Sequence, residues 1–178
     1  MVRRYIVAAV AACVAGGALL AACGGSSGGS EASVAHGSAR TGAGPATREV
    51  CESMVRDSVP ATVGVPLAGD PVSGVRGDTF SCRYVFAGGT LDLSVRDLHT
   101  VARARKYFRA LRGREGVNDA LTGLADGGFT KADGSVVAMK DAMILTVDVT
   151  ALPPTPADRT GIAIDLAGAV LGCWTGGS

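Results

Sequence analysis

Phe80, Cys82, Tyr84 and Phe86 occupy every second position of residues 79–87. Leu91, Leu93 and Val95 do the same in residues 90–98, with Gly88-Gly89 between the two runs. Successive side chains of a strand point to opposite faces, so each run presents one apolar and one polar edge. A two-residue glycine link leaves an antiparallel hairpin as the only way to bring the apolar rows together. A slip of one residue would turn the aromatic row to water, which fixes the register. Ser81, Arg83, Val85, Asp92, Ser94 and Arg96 then form the other face, and the remaining chain must supply a cover for the apolar one.

Three helical patterns are available to do so. The first spans about 47–59, with Val50, Met54 and Val55 on one side. Pro60, Gly64, Pro66 and Gly69-Asp70-Pro71 then read as a long turn region. The second spans about 100–112, with a seam of Val101, Ala104, Phe108 and Leu111 and Gly113 as its stop. The third, about 155–174, starts at Thr155-Pro156-Ala157-Asp158, a capping residue followed by proline at the first helical position. Between the second and third, Asp133-Gly134 separates a short strand at Phe129 from 135–139. Lys140-Asp141 leads into 142–150, where Met143, Leu145, Val147 and Val149 alternate. The order predicts an α+β fold: an antiparallel sheet of about four to five strands with three helices, mainly on one face, in two layers. Ile144, Thr146 and Asp148 join the solvated polar face in this reading.

The segment before the domain sets its location. Arg3-Arg4 precedes an apolar run that closes on Leu20-Ala21-Ala22-Cys23, the order of basic start, apolar core and small residues found in an export leader, with the cysteine of a lipobox. The run contains Gly16-Gly17 and is followed by Gly and Ser without a basic cluster, unlike a retained span. Residues 1–22 are therefore read as a lipoprotein signal peptide, with Cys23 as the lipidation site. Diacylglycerol on Cys23, joined by a further acyl chain such as palmitate, would anchor the protein to the cell membrane on its extracytoplasmic side; two chains hold stably where one is marginal. Residues 23–46 are the lipidated cysteine and a disordered tether built from Gly, Ser, Ala and Thr, with an r.m.s. reach of roughly 25 Å. Residues 47–178 are one extracytoplasmic domain.

In an oxidising compartment the cysteines need sorting. Cys13 leaves with the leader and Cys23 carries lipid, so Cys51, Cys82 and Cys173 remain. The best pair is Cys51 with Cys82, since both sit on apolar faces that meet in one core. Such a bridge stabilises by roughly 3 to 4 kcal/mol on the chain-entropy account. Cys173 falls on the seam Ile162, Leu166, Ala169 and Val170 of the last helix and reads as a buried, inert thiol.

Chemistry is conspicuous by its absence. Residues 47–178 contain no Gly-x-Ser-x-Gly, Ser-x-x-Lys, His-Glu-x-x-His, Cys-x-x-Cys, calcium loop or phosphate loop. His99, the single histidine of residues 47–178, stands at a helix start, and Asp126, Asp133 and Asp141 lie at turn positions where aspartate serves the backbone. No catalytic residue, metal or cofactor is assigned, and the chain is read as a non-enzyme. With 17 basic and 16 acidic side chains, and two of the former lost with the leader, it is no dedicated nucleic-acid binder. The one charged feature above background is the second helix. Its Arg105, Arg109 and Arg112 are candidates for contact with an anionic surface of lipid headgroups or cell-wall polyanions.

The lipobox, the tether, Cys51-x-x-Met54, Cys82-Arg83-Tyr84, Gly123-Leu124-x-Asp126-x-x-Phe129 and the terminal amphipathic helix together resemble the small secreted lipoproteins of unknown function of actinobacteria. The layout is similar to that of the extracytoplasmic sensor domains of mycobacterial-type serine/threonine kinases. The resemblance implies an α+β domain with a Cys51 to Cys82 disulfide and an exported binding or accessory role, and it transfers no catalytic residue. Cys173 departs from the pattern. The expectation is thus a monomeric, membrane-anchored module binding a small or lipidic ligand. The alternatives are an accessory or sensor protein that meets another envelope protein through its polar sheet face and, third, an uncharacterised enzyme.

Overall fold

The computed structural model describes residues 49–153 and 158–174. In chain order these form a 3-10 turn (Glu49–Cys51), α1 (Ser53–Val63), β1 (Val72–Arg76), β2 (Thr79–Phe86) and β3 (Gly89–Asp97). They continue as α2 (Val101–Glu115), β4 (Val117–Leu121), β5 (Gly127–Lys131), β6 (Val136–Lys140), β7 (Met143–Asp148) and α3 (Arg159–Cys173). All strands join one antiparallel sheet in the order β1-β2-β3-β7-β6-β5-β4. The α+β class is as the patterning implies, but the sheet has seven strands rather than four to five.

The hairpin of β2 and β3 pairs Cys82 with Leu93 and Tyr84 with Leu91. Its turn residues are Ala87 and Gly88, the latter at φ 89°, a value that favours glycine. Gly89 opens β3 and serves by its lack of bulk, since a Cβ there would collide with the Ala151 carbonyl and Pro153. The apolar row of both strands is buried against α1, through Val55, Val59 and Val63, and against α3, through Ile162, Ala163, Leu166, Ala167 and Val170. Among the described residues this core and the second core below run from Val50 to Trp174.

The two extra strands are the sheet edges. β1 directly follows the turn region that closes on Pro71, with Val72 and Val75 61% and 63% exposed, and β4 is the polar segment Val-Asn-Asp-Ala-Leu with a register shift between Val117 and Asp119. An edge strand has one backbone neighbour and buries few side chains, so it need not alternate apolar and polar residues.

The two-layer expectation also fails over half the sheet. Val136 and Ala138 of β6 face the first core, while Val137 and Met139 join Phe129 of β5 and Ile144 of β7 in a second core under Ala104, Phe108 and Leu111 of α2. α2 therefore lies on the face opposite α1 and α3, making three layers over β6 and β7. Ile144, assigned to the solvated face, is 2% exposed. The physical reason is the unbroken apolar run of β6, which requires cover on both faces.

Helix limits shift for equally local reasons. α1 runs through Pro60, although proline cannot donate to the Arg56 carbonyl, because burial of Val59 and Val63 outweighs that one lost bond. It ends at Gly64, φ 74°, whose N–H donates to the Pro60 carbonyl at 2.9 Å. α2 runs past Gly113 to Glu115, and Val101 of its expected seam is 40% exposed. Asp158 caps α3 by accepting from the Gly161 N–H at 2.9 Å; Thr155, Pro156 and Ala157 lie outside the described residues. At the other end of α3, Lys140 donates to the carbonyls of Leu171, at 2.9 Å, and of Trp174. Ala169 is exposed and Cys173 half-exposed, 3.2 Å from the Met54 sulfur, so the seam drawn through them is displaced to Ala163, Ala167 and Leu171.

Candidate functional site

The alternation of β3 and β7 carries Ser94, Arg96, Ile144 and Thr146 onto the face that α2 only partly covers. Ser94 is paired with Thr146 and Arg96 with Ile144 across the ladder. α2 contributes Tyr107, Leu111 and Glu115, spaced by four and so on one flank of the helix. Where that flank stands off the sheet there is a cleft of about 170 Å³, lined also by Thr79, Lys131 and Val137.

Its floor is apolar, from Leu111, Val137 and Ile144, and its rim is polar. At the rim, Arg96 donates from Nη1 to the Tyr107 hydroxyl at 3.1 Å, with its guanidinium carbon 4.7 Å from the ring centroid. A guanidinium has five N–H donors, and among the described residues this is the only bond Arg96 makes through its side chain. Lys131 is already neutralised. Its ammonium lies 3.2 Å from Asp133 and 3.5 Å from Glu115. Burial works to lower its pKa, but the hydrogen bond to Asp133 and the charges of Asp133, Glu115 and Asp148 outweigh it and hold the lysine above its ordinary value. Arg96 is therefore the cation with donors to spare, set beside hydroxyls and an apolar floor. That arrangement suits a small amphipathic anion.

The sequence-derived candidates fall elsewhere. Cys51 and Cys82 are bonded, Cα atoms 5.4 Å apart, and join the first turn to β2. The same turn is tied a second time by Tyr84, whose buried hydroxyl donates to the Val50 carbonyl at 2.6 Å; burial pushes the phenol pKa up, against a small opposing effect of Arg56. Arg105, Arg109 and Arg112 are exposed on α2 and none lines the cleft. Cys23 lies outside the described residues.

His99 takes φ 63°, with its N–H bonded to Asp97 at 2.7 Å and its ring nitrogens 3.3 Å from Asp78 and 3.7 Å from Asp97. Its side-chain partners among the described residues are carboxylates, which supply no nucleophile for an imidazole to activate, and they latch the first hairpin turn to the start of α2. Asp126 accepts from the Asp141 N–H and Asp133 from the Ser135 N–H, the turn roles read for them. Among the described residues no group of three or more His, Cys, Asp or Glu side chains is placed to hold a metal ion, and no helix is long and apolar enough to cross a membrane.

Sequence reasoning passed over Tyr107, Glu115 and Lys131. The legible signal was the spacing Tyr107, Leu111, Glu115, a helix flank that grades from aromatic to acidic where a core seam would stay apolar. In comparisons of the chain with family models, curated proteins and solved structures, none of the three yields a match.

Proposed function

We propose that the protein is a membrane-anchored extracytoplasmic lipoprotein whose folded domain binds a small amphipathic anion, such as a short-chain lipid acid, in the cleft between α2 and the sheet. The anchor reading rests on Leu20-Ala21-Ala22-Cys23 after its basic and apolar leader. The binding reading rests on one observation, the apolar floor of Leu111, Val137 and Ile144 beneath the under-used donors of Arg96. A carboxylate or phosphate accepts from Arg96 and the flanking Ser94 and Thr146 hydroxyls, while the hydrocarbon body lies on the floor.

Native mass spectrometry of protein purified from its own envelope reads both parts separately. The expected results are a mature chain heavier by its acyl chains and beginning at Cys23, and a co-purifying small mass. Titration with hexanoate, followed by amide NMR, should move Ser94, Leu111 and Thr146 saturably in the wild type. In Arg96→Ala the affinity should fall about tenfold, the loss expected for one charge-assisted hydrogen bond. Unsaturable shifts, or equal affinity in the two proteins, would refute the cleft as the site.

A further inference from the structure

The charge on α2 is unexplained by the fold. Arg103, Arg105, Lys106, Arg109, Arg112 and Arg114 are all exposed, and none forms an ion pair within the described residues. The helix's single carboxylate, Glu115, lies 3.5 Å from Lys131 across the cleft. Positions three, four and seven apart share a helix face, so Arg105, Arg109 and Arg112 make one stripe with Lys106 beside it. Like charges at those spacings destabilise a helix, and only Arg112 and Arg114, in the last turn, gain from the helix dipole. The buried residues Ala104, Phe108 and Leu111 each precede one of these arginines by a single position, so the stripe lies about 100° around the helix from the buried seam. The stripe therefore contributes neither to the core nor to an internal ion-pair network.

Its shape decides what would complement it. Cations spread along a convex helix do not converge on one point, as the recognition of a single small anion requires, but they match a plane of many anionic groups. We infer that α2 is the face by which the domain rests on an anionic bilayer, with Arg105, Arg109 and Arg112 against the phospholipid headgroups. Preferring a bilayer to another polyanion rests on the lipid-anchor reading, which keeps the bilayer within reach. The chain enters the fold on the α1 and α3 side, where Val50 is buried. Residues 24–48 can nonetheless span up to roughly 80 Å when extended, against roughly 20 Å through sheet and helix layers. The contact leaves the cleft open, since the stripe lies outside its lining.

The test uses residues 36–178, which form one compact unit and contain every described residue of both cores. This protein is sedimented with vesicles of phosphatidylcholine alone and with vesicles containing phosphatidylglycerol. The expected result is partition onto the anionic vesicles only, falling steeply as salt is raised. Substituting Arg105, Arg109 and Arg112 together by Ala should weaken it about a hundredfold, roughly fivefold per cation, and substituting them by Lys should keep it within about twofold. Equal binding to both vesicle types, undiminished binding of the Ala variant, or capture by a soluble anionic polysaccharide without vesicle binding would each overturn the inference. Loss of binding in the Lys variant would do the same, by marking a site that reads guanidinium shape. The tested unit lacks Cys23, so a missing lipid would show only in the mass of the mature protein and leave the vesicle result standing.

Discussion

The two halves of the sheet are built on different terms. Across β2 and β3 one face is buried and the other is open, where Arg83 and Asp92 pair at 2.9 Å. Across β6 and β7 both faces are covered, and consecutive residues Val136, Val137, Ala138 and Met139 are all buried. The first half is held to its cover by a disulfide and by the Tyr84 hydrogen bond, the second without a covalent link, by packing with the Lys140 bonds to the end of α3 and the Lys131 pair with Glu115. The half with the free face carries polar residues that tolerate change, and the half enclosed on both faces has no such reserve.

The largest effect should come from the enclosed half. Phe129 is fully buried, packs on Phe108 with centroids 5.4 Å apart, and is the largest side chain of the second core on the sheet side. Phe129→Ala should destabilise by about 3–5 kcal/mol in urea or guanidinium denaturation. The exposed Arg83→Ala should leave the midpoint nearly unmoved. A Phe129→Ala loss below about 1 kcal/mol would mean that α2 is not seated on a core of native density, and the contrast between the halves would collapse.

Those terms also govern how much could be read from the chain alone. Where one face is wet, the period of two survives in the residues, and Phe80 to Phe86 and Leu91 to Val95 place themselves. Where both faces are dry the period is erased: Val136 to Met139 reads as a strand but not as one needing two covers, so Ile144 is put on the wrong side. At the edges the signal fails in the opposite sense, since Val72 and Val75 stand exposed on opposite faces of β1 and impose no pattern. The cleft was hidden because Arg96 and Tyr107 become partners only once α2 is known to cross that face, a choice made by β6 and not by either residue. The basic stripe needed no fold to be found.

A second, smaller effect tests the pinned half. Replacing Cys51 and Cys82 by Ala releases a cross-link between residues 31 apart, and the denatured chain gains entropy for a loss of about 3–4 kcal/mol. Reduction of the wild type should lower its denaturation midpoint most of the way to that of the double variant. The alanines also vacate a fully buried position at Cys82, which adds to the cost. If reduction changed the midpoint by less than the Phe129 truncation by an order of magnitude, the Tyr84 bond to Val50 would be the tether that matters, and the first half would be held as the second is, without covalent help.

The smallest effect lies in the turn between β5 and β6, and its sign is set by pH. Burial pushes the Asp133 carboxyl pKa upward, but the Ser135 N–H and hydroxyl and the nearby Lys131 outweigh that and hold it below the ordinary carboxylate value. A carboxyl depressed in the folded state contributes stability above its unfolded pKa and loses it as pH falls through the folded one. Wild type should therefore exceed Asp133→Asn at neutral pH, and the two should converge in acid as the carboxyl is protonated. The side chain is 38% exposed, so solvent screening limits the difference to under about 1 kcal/mol, and added salt should shrink it further. A difference that persisted unchanged in acid would assign the loss to the shape of the turn, because Asn keeps the acceptor for the Ser135 N–H and removes only the charge facing Lys131.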